Sequence, residues 1–278
     1  MNKTMLGLAT ALACLMPLGA IAAEHCTHSA PRALQLDLAG VTSVRFETAQ
    51  HTLRLDARPG GAHAVTGRAC AAKASWLEQL TLTQEKRGDT LVVRASRDAG
   101  NIGLSLGDSH AYLDLSGSVP AGIAVQLAMG SGDVHVTGIA SLDATVGSGD
   151  LEVRNVRGPV VAKVGSGDVM VDGAASLAAG SIGSGDFIAR NIGGQVEVGS
   201  IGSGDFELAG ARGNVRIESI GSGDATLADI DGDVGIGSIG SGDLDVRDVR
   251  GRLSVRSLGS GDVAHRTVSG GVDLPRKR

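Results

Sequence analysis

"SIGSGDF" occupies residues 181–187 and returns letter for letter at 200–206. Its core, GSGD, occurs eight times, starting at Gly130, Gly147, Gly165, Gly183, Gly202, Gly221, Gly240 and Gly259. Successive starts lie 17, 18, 18, 19, 19, 19 and 19 residues apart. A steady period near 20 is the mark of a solenoid. The fold therefore turns on which columns stay apolar from copy to copy.

The residue after each Asp is apolar in every copy: Val134, Leu151, Val169, Phe187, Phe206, Ala225, Leu244 and Val263. Two further on, Val136 through Val246 are again apolar, and only the last copy has His265. The column between them is mixed, running His135, Glu152, Met170, Ile188, Glu207, Thr226, Asp245, Ala264. In, out, in is the period of a strand. Another apolar column stands four residues before the Asp, from Met129 to Leu258, and a further strand is plain in pairs such as Val196/Val198 and Val215/Ile217. Glycines at 158, 194, 213, 232, 251 and 270 mark another corner. The expected fold is all-β: a single-stranded β-helix of 18–19-residue GSGD coils, with two or three short strands per coil and parallel in-register ladders. A propeller blade needs about 40 residues or more, and these repeats are too short.

The front of the chain differs. Lys3, an apolar run from Met5 to Leu18 and small residues at Gly19–Ala23 have the layout of a secretory signal peptide. The run is too short for a membrane span, and Ala11-Leu12-Ala13 before Cys14 makes a poor lipobox. The expected division is signal peptide 1–23, N-terminal β cap 24–103, and β-helix 104–278 with the repeats from 130. Within the cap, "RALQLDLAG", "SVRFETA" and "HTLRLDA" alternate as strands, "SWLEQL" (75–80) reads as one helical turn, and a hairpin turns at Arg87-Gly88-Asp89. A capped end protects the open ladder from edge-to-edge pairing. At the far end, His265, Pro275 and the closing "RKR" suit a terminal rung.

Removing the signal leaves Cys26 and Cys70. In an exported chain two cysteines point to one disulfide rather than two free thiols. The bridge would close a loop of roughly 45 residues, contributing about 3–4 kcal/mol on the chain-entropy model. There is no C-x-x-C, so a structural staple is expected. The net charge of −5 argues against nucleic acid, which requires a basic stripe.

The stretch Ala111–Gly138, "AYLDLSGSVPAGIAVQLAMGSGDVHVTG", runs from a strand ending at Val119-Pro120 to Gly-Asp-Val-x-Val. It resembles the bacterial putative adhesin family, which is similar to the head region of auto-transporter adhesins. The likeness covers roughly residues 104–274. It implies a single-stranded β-helix and an adhesive or scaffolding role; no binding residues are carried over from it.

The chemistry-bearing column is Asp133, Asp150, Asp168, Asp186, Asp205, Asp224, Asp243 and Asp262. Stacking places neighbours about 4.8 Å apart, where like charges repel by about 0.9 kcal/mol even in water. Solvation, backbone N–H donors or cations must offset that. A calcium ladder would need six to eight oxygens per ion, and no second acidic column supplies them. The expected role is therefore a turn residue, with the eight aspartates kept as metal candidates. The serines of the motif have no His and carboxylate at a fixed offset, so no triad and no catalytic residue is expected. Arg154, Arg190, Arg247 and Arg266 are interrupted by Thr137, Asp172, Ala209 and Ala228, the pattern of a solvated face. With 2% aromatic residues, sugar-stacking platforms are nearly excluded. In "EHCTH" (24–28), His25 would stand third after cleavage at Ala22, the arrangement of a copper or nickel site; the alternative is a frayed end beside the disulfide.

These features lead to an exported, non-catalytic scaffold or interaction protein of the cell envelope, periplasmic or secreted. It would have no cofactor and an unidentified protein, glycan or envelope polymer as partner. The alternatives are a cation-stabilised envelope stress module and a polysaccharide-active β-helix enzyme.

Overall fold

Every GSGD joins one strand that ends just before it to another that begins just after it. The structure, a computed structural model, describes residues 26–98 and 110–276. The signal-peptide reading of residues 1–23, and Glu24 and His25 of the copper reading, lie outside the described residues. The first seven strands are β1 (His28–Gln35), β2 (Ser43–Ala49), β3 (Thr52–Arg58), β4 (Ala64–Ala71), β5 (Leu80–Arg87), β6 (Thr90–Arg97) and β7 (Ala111–Pro120). A 3₁₀ turn covers Ala74–Gln79.

The coils follow as pairs. They are β8 (Ala124–Met129) with β9 (Val134–Thr137), β10 (Ser141–Val146) with β11 (Leu151–Arg154), and β12 (Pro159–Val164) with β13 (Val169–Ala174). Next come β14 (Ser176–Ile182) with β15 (Phe187–Ile192), β16 (Val196–Ile201) with β17 (Phe206–Ala211), and β18 (Val215–Ile220) with β19 (Ala225–Ile230). The last are β20 (Val234–Ile239) with β21 (Leu244–Val249), β22 (Leu253–Leu258) with β23 (Val263–Val268), and the short β24 (Val272–Asp273).

These strands form two 12-stranded sheets. The upstream sheet, whose strands enter the GSGD corners, runs β24-β22-β20-β18-β16-β14-β12-β10-β8-β2-β6-β5. The downstream sheet runs β1-β4-β7-β3-β9-β11-β13-β15-β17-β19-β21-β23. Each coil thus contributes two strands, because the column four residues before the Asp and the Val196/Val198-type pairs belong to one strand. From β8 onward all pairing is parallel, with one register shift between β12 and β14 at Ala162/Val164, and apolar columns become continuous stacks: Val134 pairs with Leu151, Leu151 with Val169, Val169 with Phe187. The inward columns of both sheets meet in one core reaching from Leu36 to Val255. Phe187 and Phe206 stack within it at 5.9 Å between ring centroids.

The first coil is laid down out of order. β2 pairs with β6 on one side and β8 on the other, and β3 lies between β7 and β9. The chain therefore builds β2–β3, adds β6–β7 on one flank, and passes over to build β8–β9 on the other. The corner Thr48–His51 takes the place of a GSGD, with Ala49 O accepting from Gly130 N–H at 2.7 Å and Ser131 N–H at 3.0 Å. The far side of β7 is closed by antiparallel β4 and β1, and β5 closes β6. Cys26 and Cys70 are disulfide-bonded there, with Cα atoms 5.4 Å apart. Arg32 ties β1 to the 3₁₀ turn through Leu77 O (2.6 Å) and Leu80 O (2.9 Å). Lys73 and Arg97 each lie 4.9 Å from the Trp76 ring. At the other end His265 takes the register position next to Val246 but is exposed, which ends the apolar column.

The glycines of the motif are required by stacking. A Cβ on the second glycine of a GSGD would fall onto the carbonyl oxygen of the equivalent glycine one coil below, far inside the 3.0 Å that real Cβ atoms keep. Gly204 against Gly185 O and Gly223 against Gly204 O are examples. Among the described residues none of these glycines has a left-handed φ. Left-handed residues recur instead in a different column, five residues past each Asp: Gly138, Asn155, Gly173, Asn191, Gly210, Asp229, Asp248 and Thr267. Gly, Asn and Asp are the residues that tolerate this region at least cost.

Candidate interaction face

Side chains that leave the core reach the outer face of the downstream sheet in two columns. The first stacks Arg54, His135, Glu152, Met170, Ile188 and Glu207. The second, two residues further on, stacks Thr137, Arg154, Asp172 and Arg190. Register turns residues 17 to 19 apart in sequence into neighbours. His135 Nδ1 lies 2.7 Å from Glu152 Oε2, and Arg154 Nε donates to Glu152 Oε1 at 2.6 Å. Hydrogen bonds from Arg154 and then His135 hold the Glu152 carboxyl below its ordinary pKa. Above this cluster, Met170 and Ile188 are half-buried and floor a hollow of about 450 Å³. Asp150, Asp168 and Asp186 line its edge. Further along, Arg190–Glu207 and Arg266–Asp245 approach to 4.0 Å. The face thus has salt bridges between neighbouring columns.

The eight aspartates form one exposed column along the GSGD corner. Their carboxylates bond along the stack: the N–H of Asp186 donates to Asp168 Oδ1 (2.9 Å), Asp224 to Asp205 (2.8 Å), Asp243 to Asp224 (2.8 Å) and Asp262 to Asp243 (2.8 Å). Asp205 N–H reaches Asp186 at 3.2 Å and Asp168 N–H reaches Asp150 at 3.4 Å. A short acceptor at this position takes up a backbone N–H that the ladder leaves over. The opposite corner repeats the device, where Asn214 Oδ1 accepts from Asp233 N–H at 2.9 Å and Asp233 Oδ1 from Arg252 N–H at 2.8 Å. Sequence reasoning missed this second ladder. Its signal is the Asn214, Asp233 column just before the upstream strands. Among the described residues no group of three or more His, Cys, Asp or Glu is arranged to hold a metal ion.

A prediction follows from Asn214, which does the same job without charge. Asp224→Asn should leave stability unchanged or raise it slightly at low salt, since it keeps the acceptor and removes two neighbour repulsions of about 0.9 kcal/mol each. Asp224→Ala should cost about 1 kcal/mol for the stranded Asp243 N–H. Urea titrations of both variants at low and high salt check this. Equal losses in the two would show that the charge itself is needed.

With the geometry in place, comparison with known proteins gives one family. Residues 158–278 match the family model described as Toastrack DUF4097. The match is consistent with the putative adhesin resemblance, and it covers the coils from Gly158 onward. No curated protein matches the sequence. Among solved structures, the chain is similar to a putative adhesin from Bacteroides fragilis NCTC 9343, at 14% identity over 90% of this chain and 98% of that one, with a TM-score of 0.47. It is also similar to a putative adhesin from Parabacteroides merdae ATCC 43184, at 9% identity over 86% and 97%, TM-score 0.40. A third is a putative lipid binding protein from Parabacteroides distasonis ATCC 8503, at 13% identity over 88% and 97%, TM-score 0.38. Likenesses at these scores carry no argument about a ligand. Among the described residues, no helix is long and apolar enough to cross a membrane.

Proposed function

We propose that the protein is an exported, non-catalytic β-helical scaffold of the cell envelope with an adhesin-like role, binding a protein, glycan or envelope polymer. The observation that carries this reading is the Met170–Ile188 hollow. It is an apolar floor on an otherwise charged face, with the Asp150–Asp168–Asp186 edge beside it and the His135–Glu152–Arg154 cluster next to it. Such a surface offers apolar contact and charges of both signs to an extended partner, and the stacked coils hold it rigid. Export rests on the sequence layout of residues 1–23 and on the cysteine pair. Backbone N–H groups already engage the aspartate oxygens, which favours the scaffold over a cation-stabilised module.

The test is binding of purified protein to immobilised envelope polymers and envelope proteins. Joint replacement Met170→Glu with Ile188→Glu should weaken binding at least about tenfold and leave melting unchanged. Undiminished binding would remove this face from the account, and no binding to any envelope component would overturn the reading.

A further inference from the structure

The outer face of the upstream sheet is built differently from its counterpart. In β12 to β24 its first outward column reads Val161, Ala178, Glu197, Arg216, Gly235, Ser254, Asp273, as register partners. Two residues further along each strand stand Lys163, Gly180, Gly199, Glu218, Gly237 and Arg256. The two columns enclose a shallow trough of about 790 Å³. Val161, 37% exposed, is one of two large hydrophobic residues exposed among the described residues.

Charges on this face are unpaired. Among the described residues the ion pairs of the upstream sheet are confined to its cap end, on β2, β5 and β6; the others lie on the downstream sheet, elsewhere in the cap and at the corners. Glu197 and Arg216 are register neighbours, yet among the described residues neither they nor Glu218 and Arg256 enter an ion pair or a side-chain hydrogen bond. Their placement obeys a rule. In the central strands, where one outward column carries a long charged side chain the other carries a small residue or the opposite charge; at the end of the face Lys163 shares β12 with Val161. Glu197 goes with Gly199, Arg256 with Ser254, and Arg216 with Glu218. Strands β14 and β20 carry only alanine or glycine at both places.

A two-fold axis parallel to the solenoid sets each strand against its own counterpart, running the opposite way, and so sets the first column against the second. Arg216 then meets Glu218 of the second copy, and Glu218 meets Arg216, giving two reciprocal ion pairs. Glu197 faces Gly199, and Arg256 faces Ser254. No like charges oppose one another; Glu197 and Arg256 have a small residue in front of them, and Lys163 meets the apolar Val161. We propose that this face joins two copies of the chain back to back, with Arg216 and Glu218 as the reciprocal pair at its centre. A face seven strands long and one strand wide measures roughly 30 Å by 20 Å. That buries about 600 Å² on each copy, or about 1,200 Å² in total, the lower end for a specific interface. The dimer is accordingly concentration-dependent and leaves the Met170–Ile188 face outward on both copies.

Sedimentation velocity of the purified protein from low to high micromolar concentration tests this. The wild type should pass from monomer to dimer. Arg216→Glu sets carboxylate against carboxylate and Glu218→Arg sets guanidinium against guanidinium, and each should hold the protein monomeric with an unchanged melting curve. The combined exchange R216E/E218R restores the pairing and should restore the dimer. Gly235→Arg fills a hollow where the nearest atom to an added Cβ is Ser254 Oγ at 3.8 Å, so it should fold and remain monomeric. A wild type that stays monomeric throughout overturns the proposal. So does a dimer indifferent to the single reversals, or one that the exchange fails to rebuild.

Discussion

Gly204→Ala is expected to lower stability by about 4 kcal/mol or more, a loss reserved for severe steric conflict. The added methyl would sit on the Gly185 carbonyl oxygen, which is backbone and cannot rotate away. Two coils must then separate in the middle of a ladder where Ser203 N–H and Gly204 N–H both bond Gly183 O, at 2.8 and 3.1 Å. Because coils contact only their neighbours, the damage should also split the cooperative unit, with the two halves of the solenoid unfolding in separate steps. The control is Gly235→Ala, on the upstream sheet. Its added methyl meets nothing nearer than Ser254 Oγ at 3.8 Å, an ordinary contact, and removing a flexible glycine from a strand should gain about 0.5 kcal/mol. Urea unfolding followed by circular dichroism reads both. A Gly204→Ala loss below about 1 kcal/mol would mean that the stack yields where this geometry says it cannot.

Acid should weaken the joint around His51 by about 3 kcal/mol. His51 is fully buried in the corner between β2 and β3, and its Nδ1 accepts the Leu113 N–H at 3.2 Å. The neutral ring therefore carries its proton on Nε2, which has no partner among the described residues. A proton on Nδ1 would turn the acceptor into a second donor facing the Leu113 N–H. Burial first, and the nearby Arg97 charge second, push the pKa down from 6.5 to about 4. The folded pKa is depressed, so the unfolded chain takes up the proton first. Stability is full above pH 6.5, falls as pH drops toward 4, and levels off below. The carboxyls of Glu85 and Glu152 also lose their contribution on acidification, in a lower window. Hydrogen bonds from Arg87 and Arg94 lower Glu85, those from Arg154 and His135 lower Glu152, and their contribution is lost only below about pH 4.5. Denaturant titrations between pH 7 and 4.5 thus isolate His51. His51→Gln keeps an acceptor for Leu113 and does not titrate, so it should flatten the slope in that range. An equal slope in both proteins would refute the assignment.

Much of this molecule is legible in the GSGD columns because the repeat samples one environment eight times. A single Val-x-Val proves little, but eight aligned inward residues from Val134 to Val263 fix the strand period and the stacking together. The 3₁₀ turn at Ala74–Gln79 and the hairpin between β5 and β6 were also readable, from "SWLEQL" and from the Gly88 turn. β4 was not. Its Gly67 and three scattered alanines blunt the alternation, and Gly67 is there because the Asp114 carbonyl of β7 packs against it. The His135–Glu152–Arg154 cluster and the Met170–Ile188 hollow were present as letters in a mixed column. Which of those letters touch depends on a register that shifts between 17, 18 and 19 residues.

By itself the sequence determined the β-solenoid, its coil length, its inward columns and the cysteine pair, because local alternation and a fixed period need no distant information. The tertiary structure decided why the motif has its four letters. The glycines answer to the carbonyl of the coil below, and the aspartate accepts an N–H from the coil above. It also decided that β2–β3 lies between coils that follow it in the chain, since strands join the edge whose pairing is free, whatever their order of synthesis. Both facts concern atoms brought together by stacking, and no window of sequence contains them.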